Sequence, residues 1–200
     1  MKPFIVSLKI FLFFTVLTGI AYPVLVTGIA QVLFPEKANG SLILKDEKII
    51  GSELIGQKFD SVIYFTSRPS AISYNPLPSG GTNFGLTNEK LINLAKDRRE
   101  HFIAFNKLDS LDIVPSEMIF ASASGLDPHI SPEAAFLQAE RISKARNYDT
   151  LQIHNLVQSI IDHIEKPLFL VLGEESVNVL VLNLALDKPE TSNINNELNR

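Results

Sequence analysis

From Ile10 to Phe34 no residue carries a charge, and the only strongly polar side chain is Gln31. As a helix this 25-residue run would rise about 37 Å, enough to cross a hydrocarbon core of about 30 Å with some tilt. A cleaved signal peptide has a shorter apolar region, about 7–15 residues, followed by a small-x-small site. Here the run continues through Val24, Leu25, Val26 and Ile29 to Val32 and Leu33 with no A-x-A site. The pattern therefore predicts one retained transmembrane helix over 10–34, with residues 1–9 before it. Pro23 falls mid-span, removes one backbone hydrogen bond and predicts a kink. Gly19, Ala21, Gly28 and Ala30 offer small surfaces, so Gly19, Pro23 and Gly28 are candidate positions for packing against another helix.

Beyond the anchor the periodicity changes repeatedly. Residues 41–50 read as two short strands around a Lys45-Asp46-Glu47-Lys48 turn, and Val62 to Phe65 as a third strand. Turn formers crowd the stretch from Ser67 to Thr87, a length of loop that in a compact domain is usually functional. A helix is predicted to start near Thr87, with Leu91, Leu94, Ala95, Phe102 and Phe105 on its apolar face and Lys96, Arg98, Arg99 and Glu100 on its solvated side. Met118 to Ala121 reads as a strand. Ser131-Pro132-Glu133 is a helix start (cap, proline at the first position, acid in the first turn), and that helix should run to about Arg146. Another is predicted over Leu151–Ile164, with Leu156, Val157, Ile160, Ile161 and Ile164 buried. The apolar runs Leu168–Leu172 and Val177–Leu186, joined by Gly173-Glu174-Glu175-Ser176, read as a hairpin of covered strands. Lys188 to Arg200 is a polar, Asn-rich tail. The fold expectation is an α/β (α+β) domain over 35–187, with a mixed sheet and about three helices, followed by a tail over 188–200.

Charge alters the picture in two ways. Only Lys2 and Lys9 lie before Phe34, so residues 35–200 carry 16 basic and 22 acidic side chains, a formal charge of −6. Such a domain repels phosphate backbones, which argues against nucleic acid as a partner. Lys2 and Lys9 precede the helix while Glu36 and Lys37 nearly cancel after it, which places the N-terminus in the cytoplasm and the domain outside. Lys45 and Lys48 also lie close to the exit, on the other side of the span. The chain has no Cys, which excludes disulfides, thiolate metal sites and Cys nucleophiles.

Candidate chemistry is sparse. There is no G-x-x-x-x-G-K-[ST] and no H-E-x-x-H, and His154 and His163 are too far apart to share a helical face as ligands. Ser122, Ser124, Asp127 and His129 supply a nucleophile, an acid and a base, but neighbours in one loop seldom converge as a triad requires, and neither serine sits in G-x-S-x-G. A structured turn is the preferred reading, with Gly125 at positive φ and Asp127-Pro128 initiating the turn. Ser79-Gly80-Gly81-Thr82-Asn83 could form an anion-binding nest or a plain turn. Arg68 could pair with a carboxylate such as Asp127.

Read in order, the segments form a pattern. They are Asn39-Gly40-Ser41-Leu42, Gly51–Phe59, Tyr64-Phe65-Thr66-Ser67-Arg68-Pro69-Ser70-Ala71, and Ser79-Gly80-Gly81-Thr82-Asn83-Phe84-Gly85. Ser124-Gly125-Leu126-Asp127-Pro128-His129-Ile130-Ser131-Pro132 follows, then Gln138, Arg141 and Arg146, then Val177-Asn178-Val179-Leu180. This resembles the KdpC family, the C subunit of Kdp potassium-transporting ATPases, from the anchor to about Asp187. Thr82, Phe84, Leu86 and Ala123 depart from the family's usual Ser, Leu, Pro and Gly, and none of these removes a charged or turn-defining group.

The resemblance implies an inner-membrane complex with an A subunit similar to a potassium channel, a B subunit that is a P-type ATPase, and an F subunit. This chain lacks the D-K-T-G phosphorylation sequence of such pumps, since Pro189 follows Asp187-Lys188. The implied role is therefore non-enzymatic: stabilising the assembly and acting as a catalytic chaperone that raises the pump's affinity for ATP. ATP enters only through the resemblance, and the domain is placed on the periplasmic side. Arg68, Ser79, Gly80, Gly81, Asn83, Asp127, His129, Gln138 and Arg141 are the candidates for partner contact or structural motif. No catalytic or metal-binding residue is expected. The alternatives are a membrane-anchored hydrolase using Ser124 (or Ser122), Asp127 and His129, and a regulator that binds nucleotide directly.

Overall fold

In the computed structural model, residues 2–167 and 172–188 are described. The chain divides into two compact units, Met1–Ser52 and Glu53–Arg200.

In the first unit, α1 (Lys2–Val16) and α2 (Tyr22–Leu33) flank a π-helical turn at Leu17–Ala21. Pro23 has no N–H to offer the carbonyl four residues back. The chain widens just ahead of it, with the Tyr22 N–H donating to the Leu17 carbonyl five residues earlier, so the disturbance predicted at Pro23 takes the form of a π turn. Thr15 and Thr18 donate their hydroxyls to the Phe11 and Phe14 carbonyls, so these polar groups are satisfied within the helix. The run Lys2–Leu33, 32 residues, is long and apolar enough to cross a membrane, with a rise of about 48 Å. Gln31 pairs its amide with Asn39, just past the short helix α3 (Pro35–Ala38). The expected hairpin follows as β1 (Leu42–Lys45) and β2 (Lys48–Ser52). Its two-residue loop needs positive φ at both positions, and Asp46 (51°) and Glu47 (61°) supply it without a glycine.

The second unit contains α4 (Glu89–Asn106), a 3₁₀ turn (Ser116–Met118), β3 (His129–Ile130), α5 (Pro132–Ala145), α6 (Thr150–Asp162), β4 (Ile164–Glu165), β5 (Ser176–Asn178) and α7 (Val179–Leu186). Helix α5 starts as predicted, with Ser131 Oγ accepting from the Ala134 N–H. Asn88 rather than Thr87 caps α4, and Asp149 with Gln152 forms a capping box on α6. Strands β3, β5 and β4 form one small sheet in that order, and all pairings in both sheets are antiparallel, so the mixed sheet is not found among the described residues. Phe65, Phe102, Ile130, Ile142, Ile160, Val177 and Leu182 are central to the core.

Several expectations change. The run Val177–Leu186 is strand only as far as Asn178; its remainder is α7, because Asn178 Oδ1 accepts from the Leu180 and Val181 N–H groups and starts a helix that is apolar but for Asn183. The partner run falls mostly on 168–171, outside the described residues, as does most of the tail from 188 to 200. Met118–Ala121 continues a 3₁₀ turn instead of forming a strand. Ile161 is exposed. Arg98 and Arg99 are half-buried, reaching the carbonyls of Ile119, and of Ser110 and Asp112.

Val62–Phe65 is not a strand either, because side chains take the places of a neighbouring strand. Arg141 donates to the carbonyls of Val62 and Tyr64, Arg146 to that of Ile63, and the Asn183 amide both accepts from Phe65 N–H and donates to Phe65 C=O. Every backbone polar group so matched is satisfied without a ladder.

Candidate partner-contact site

The segment from Glu53 to Thr87 has almost no regular structure, yet it is tied down along its length. Gln138 lies wholly buried on α5; its Oε1 accepts from the Thr66 N–H and hydroxyl, each at 2.8 Å, and its Nε2 donates to the Ala134 carbonyl. Arg141, one turn on, also donates from Nε to Asn106 Oδ1 at 2.8 Å and stands over the Phe105 ring. Among the described residues no carboxylate pairs with it. Burial lowers its guanidinium pKa to about 10. Of the sequence candidates, Gln138 and Arg141 are thus interior struts that position the segment leading to Arg68.

At the far end of this segment lies the turn from Ser122 to Ile130. Gly56 N–H donates to the Leu126 carbonyl at 2.7 Å, Ser70 Oγ to the Gly125 carbonyl at 2.7 Å, and Gly80 N–H to the Ser124 carbonyl at 3.1 Å. Ser79 Oγ donates to that same Ser124 carbonyl. Gly125 has φ +70°, and a Cβ there would come within 2.6 Å of Ile72, so both conformation and space require glycine. Because Gly80 N–H is bound to a carbonyl, the Ser79–Asn83 stretch is a docked turn and not an open ring of donors.

The charged groups meet on this turn. Arg68 Nη1 donates to Asp127 Oδ2 at 2.6 Å, both side chains being partly buried. Asp127 Oδ1 accepts from the His129 N–H at 3.0 Å. The His129 ring lies between two acids, Nδ1 at 3.5 Å from Asp127 Oδ1 and Nε2 at 3.4 Å from Glu165 Oε2. Burial works against charge on Asp127, but hydrogen bonds from His129 and Arg68 outweigh it and hold the carboxyl below its ordinary range. The same hydrogen bond to Asp127, helped by the Glu165 charge, pushes His129 up against the pull of burial. Ser124 Oγ accepts from the Leu126 N–H, and both His129 nitrogens face carboxylates. This describes a cation held between acids rather than a base directed at a serine. Among the described residues, no group of three or more His, Asp or Glu could hold a metal ion.

The family model described as KdpC, K+-transporting ATPase, c chain, matches residues 4–188. The chain belongs to the KdpC family. A KdpC subunit of Photorhabdus laumondii, named as that of a potassium-transporting ATPase, is 48% identical over 184 residues, covering 90% of this chain and 93% of its own. KdpC subunits with the same printed name from Mycobacterium bovis (44% identical, 91% and 96% covered) and Caldanaerobacter subterraneus (43%, 90% and 92%) match over a similar span. The KdpC match runs through both the apolar helix and the second unit.

Sequence reasoning singled out Arg68, Asp127 and His129, which the fold brings together. Ser79 and Gly80 join the same turn by hydrogen bonds, while Asn83, at φ 54°, is exposed. Glu165 was missed, since a lone acid after a helix gives no signal. Asn183 and Asn178 were missed too, though a polar residue inside an apolar run had to be buried with partners.

Proposed function

We propose that this chain is the non-catalytic C subunit of an ATP-driven potassium-uptake complex of the inner membrane. It assembles there with the potassium-conducting A subunit, the P-type ATPase B subunit and the F subunit. The family match across residues 4–188 carries this reading, because it includes the membrane helix as well as the domain. The helix crosses once, N-terminus in the cytoplasm, and the domain lies on the periplasmic side, as the placement of Lys2 and Lys9 before the span favours. Gly19 and Gly28 have open space where a Cβ would stand, which suits close approach by a partner helix. In the domain, the surface around Arg68, Ser79–Asn83 and Asp127–His129 is the contact face.

The role follows the family's: stabilising the assembly and, as catalytic chaperone, raising the pump's affinity for ATP. Purification of the tagged intact chain in mild detergent should bring the A, B and F subunits with it, identified by mass. Recovery of the chain alone would overturn the reading. Thr82→Arg, at an exposed position in the docked turn, should weaken co-purification while leaving the chain folded. An unchanged yield would move the contact face elsewhere.

A further inference from the structure

A neutral imidazole has one N–H and one bare nitrogen; only the imidazolium donates from both. His129 has a carboxylate oxygen opposite each ring nitrogen, Asp127 at 3.5 Å and Glu165 at 3.4 Å. Ionised carboxylates accept and do not donate. A neutral ring would therefore turn a lone pair toward one of them, so the arrangement suits a cation.

What this cation joins follows from the sheet. His129 is on β3 and Glu165 on β4, with β5 between them. Among the described residues, backbone pairing links β3 to β4 only through β5, whose residues opposite His129 and Glu165 are Asn178 and Ser176, both uncharged. The His129–Glu165 contact is thus a direct side-chain tie across the middle strand. Arg68 holds the other oxygen of Asp127. The four charged groups are Arg68, Asp127, His129 and Glu165. They sum to zero with the ring protonated and to a net negative charge without that proton.

We propose that His129 is a proton-operated tie between the Asp127 turn and β4. Protonated, it draws Glu165 against the turn; neutral, it releases Glu165 and leaves the surface with a net negative charge. Glu165 is the arm that leaves. Its side chain is 57% exposed against 29% for Asp127, and it makes no other ion pair among the described residues. Asp127 keeps Arg68 and the His129 N–H. The β4 strand is two residues long and lies at the sheet edge, held otherwise by its pairing to β5 and by Ile164 against the core. The raised proton affinity of His129 agrees with this assignment. The tie belongs to the folded chain and does not depend on whether that surface meets a partner.

The test is a titration of the full chain in detergent micelles with 15N-labelled histidine rings. The His129 signals should show both nitrogens protonated at mildly acidic pH, with a midpoint above the ordinary histidine value of about 6.5. Glu165→Gln, at an exposed position, should shift that midpoint down. It should also abolish a step in hydrogen exchange at the Ile164 and Glu165 amides, which otherwise accelerates, after correction for intrinsic rates, as pH passes the midpoint. A midpoint at or below about 6.5, or one that Glu165→Gln leaves in place, would overturn the proposal. His129→Gln should remove the exchange step as well, and a step that persists in that variant would count against it.

Discussion

Arg141 and Gly56 show what single residues contribute, one by filling space with donors and the other by leaving it empty. The Arg141 fork reaches two backbone carbonyls, the Asn106 amide and Gln138 Oε1. A lysine has no planar fork and could keep about half of these bonds. Arg141→Lys should therefore cost about 2–3 kcal/mol, read from urea unfolding of the full chain in detergent. At Gly56 an added Cβ would lie 2.7 Å from the Asp127 carbonyl oxygen and 3.1 Å from that of Leu126, both backbone atoms. Gly56→Ala should cost about 1–3 kcal/mol and weaken co-purification with partners, because the Asp127 turn has to move. Thr82→Arg should weaken it with no such cost. The charges at Arg68, Asp127 and His129 were legible because they sit beside turn-forming glycines and prolines. The struts were legible only as types, since nothing local says that Gln138 meets Thr66, 72 positions away.

Among the elements, α5 was readable from its Ser131-Pro132-Glu133 start and α6 from its apolar stripe. The failures share a cause. Val62–Phe65 and Val177–Leu186 are short apolar runs, and periodicity alone does not separate strand from buried helix or from pinned coil. In each case a polar side chain decides the conformation: guanidinia and an amide from distant helices at Val62–Phe65, and the run's own Asn178 at Val177–Leu186. Asn178 is a sharp instance: it caps α7 through two N–H groups and donates to the Glu53 carbonyl at 2.7 Å. Asn178→Ala should lower stability by about 1–2 kcal/mol, whereas Asn178→Asp should retain the cap and lose only the bond to Glu53. Circular dichroism with chemical unfolding separates the two variants.

For the whole molecule, the surface cluster sets how stability responds to pH. Asp127 has a lowered pKa, so its contribution is complete above its unfolded value near 4 and is lost as pH falls through the depressed value. His129 has a raised pKa, so its contribution is complete below its unfolded value of about 6.5 and is lost as pH rises through the raised value. Thermal midpoints measured from pH 2 to 9 should show a plateau between these limbs. Asp127→Asn should flatten the acid limb and His129→Gln the alkaline one. The clasp that Arg141 and Gln138 place on Val62, Tyr64 and Thr66 obeys a different rule. Its cation keeps its proton up to about 10, and the acceptors around it are amides and carbonyls, which do not titrate. Acidity that rearranges the rim of the domain therefore leaves this interior clasp untouched, so the surface can report its surroundings while the strut beneath keeps its shape.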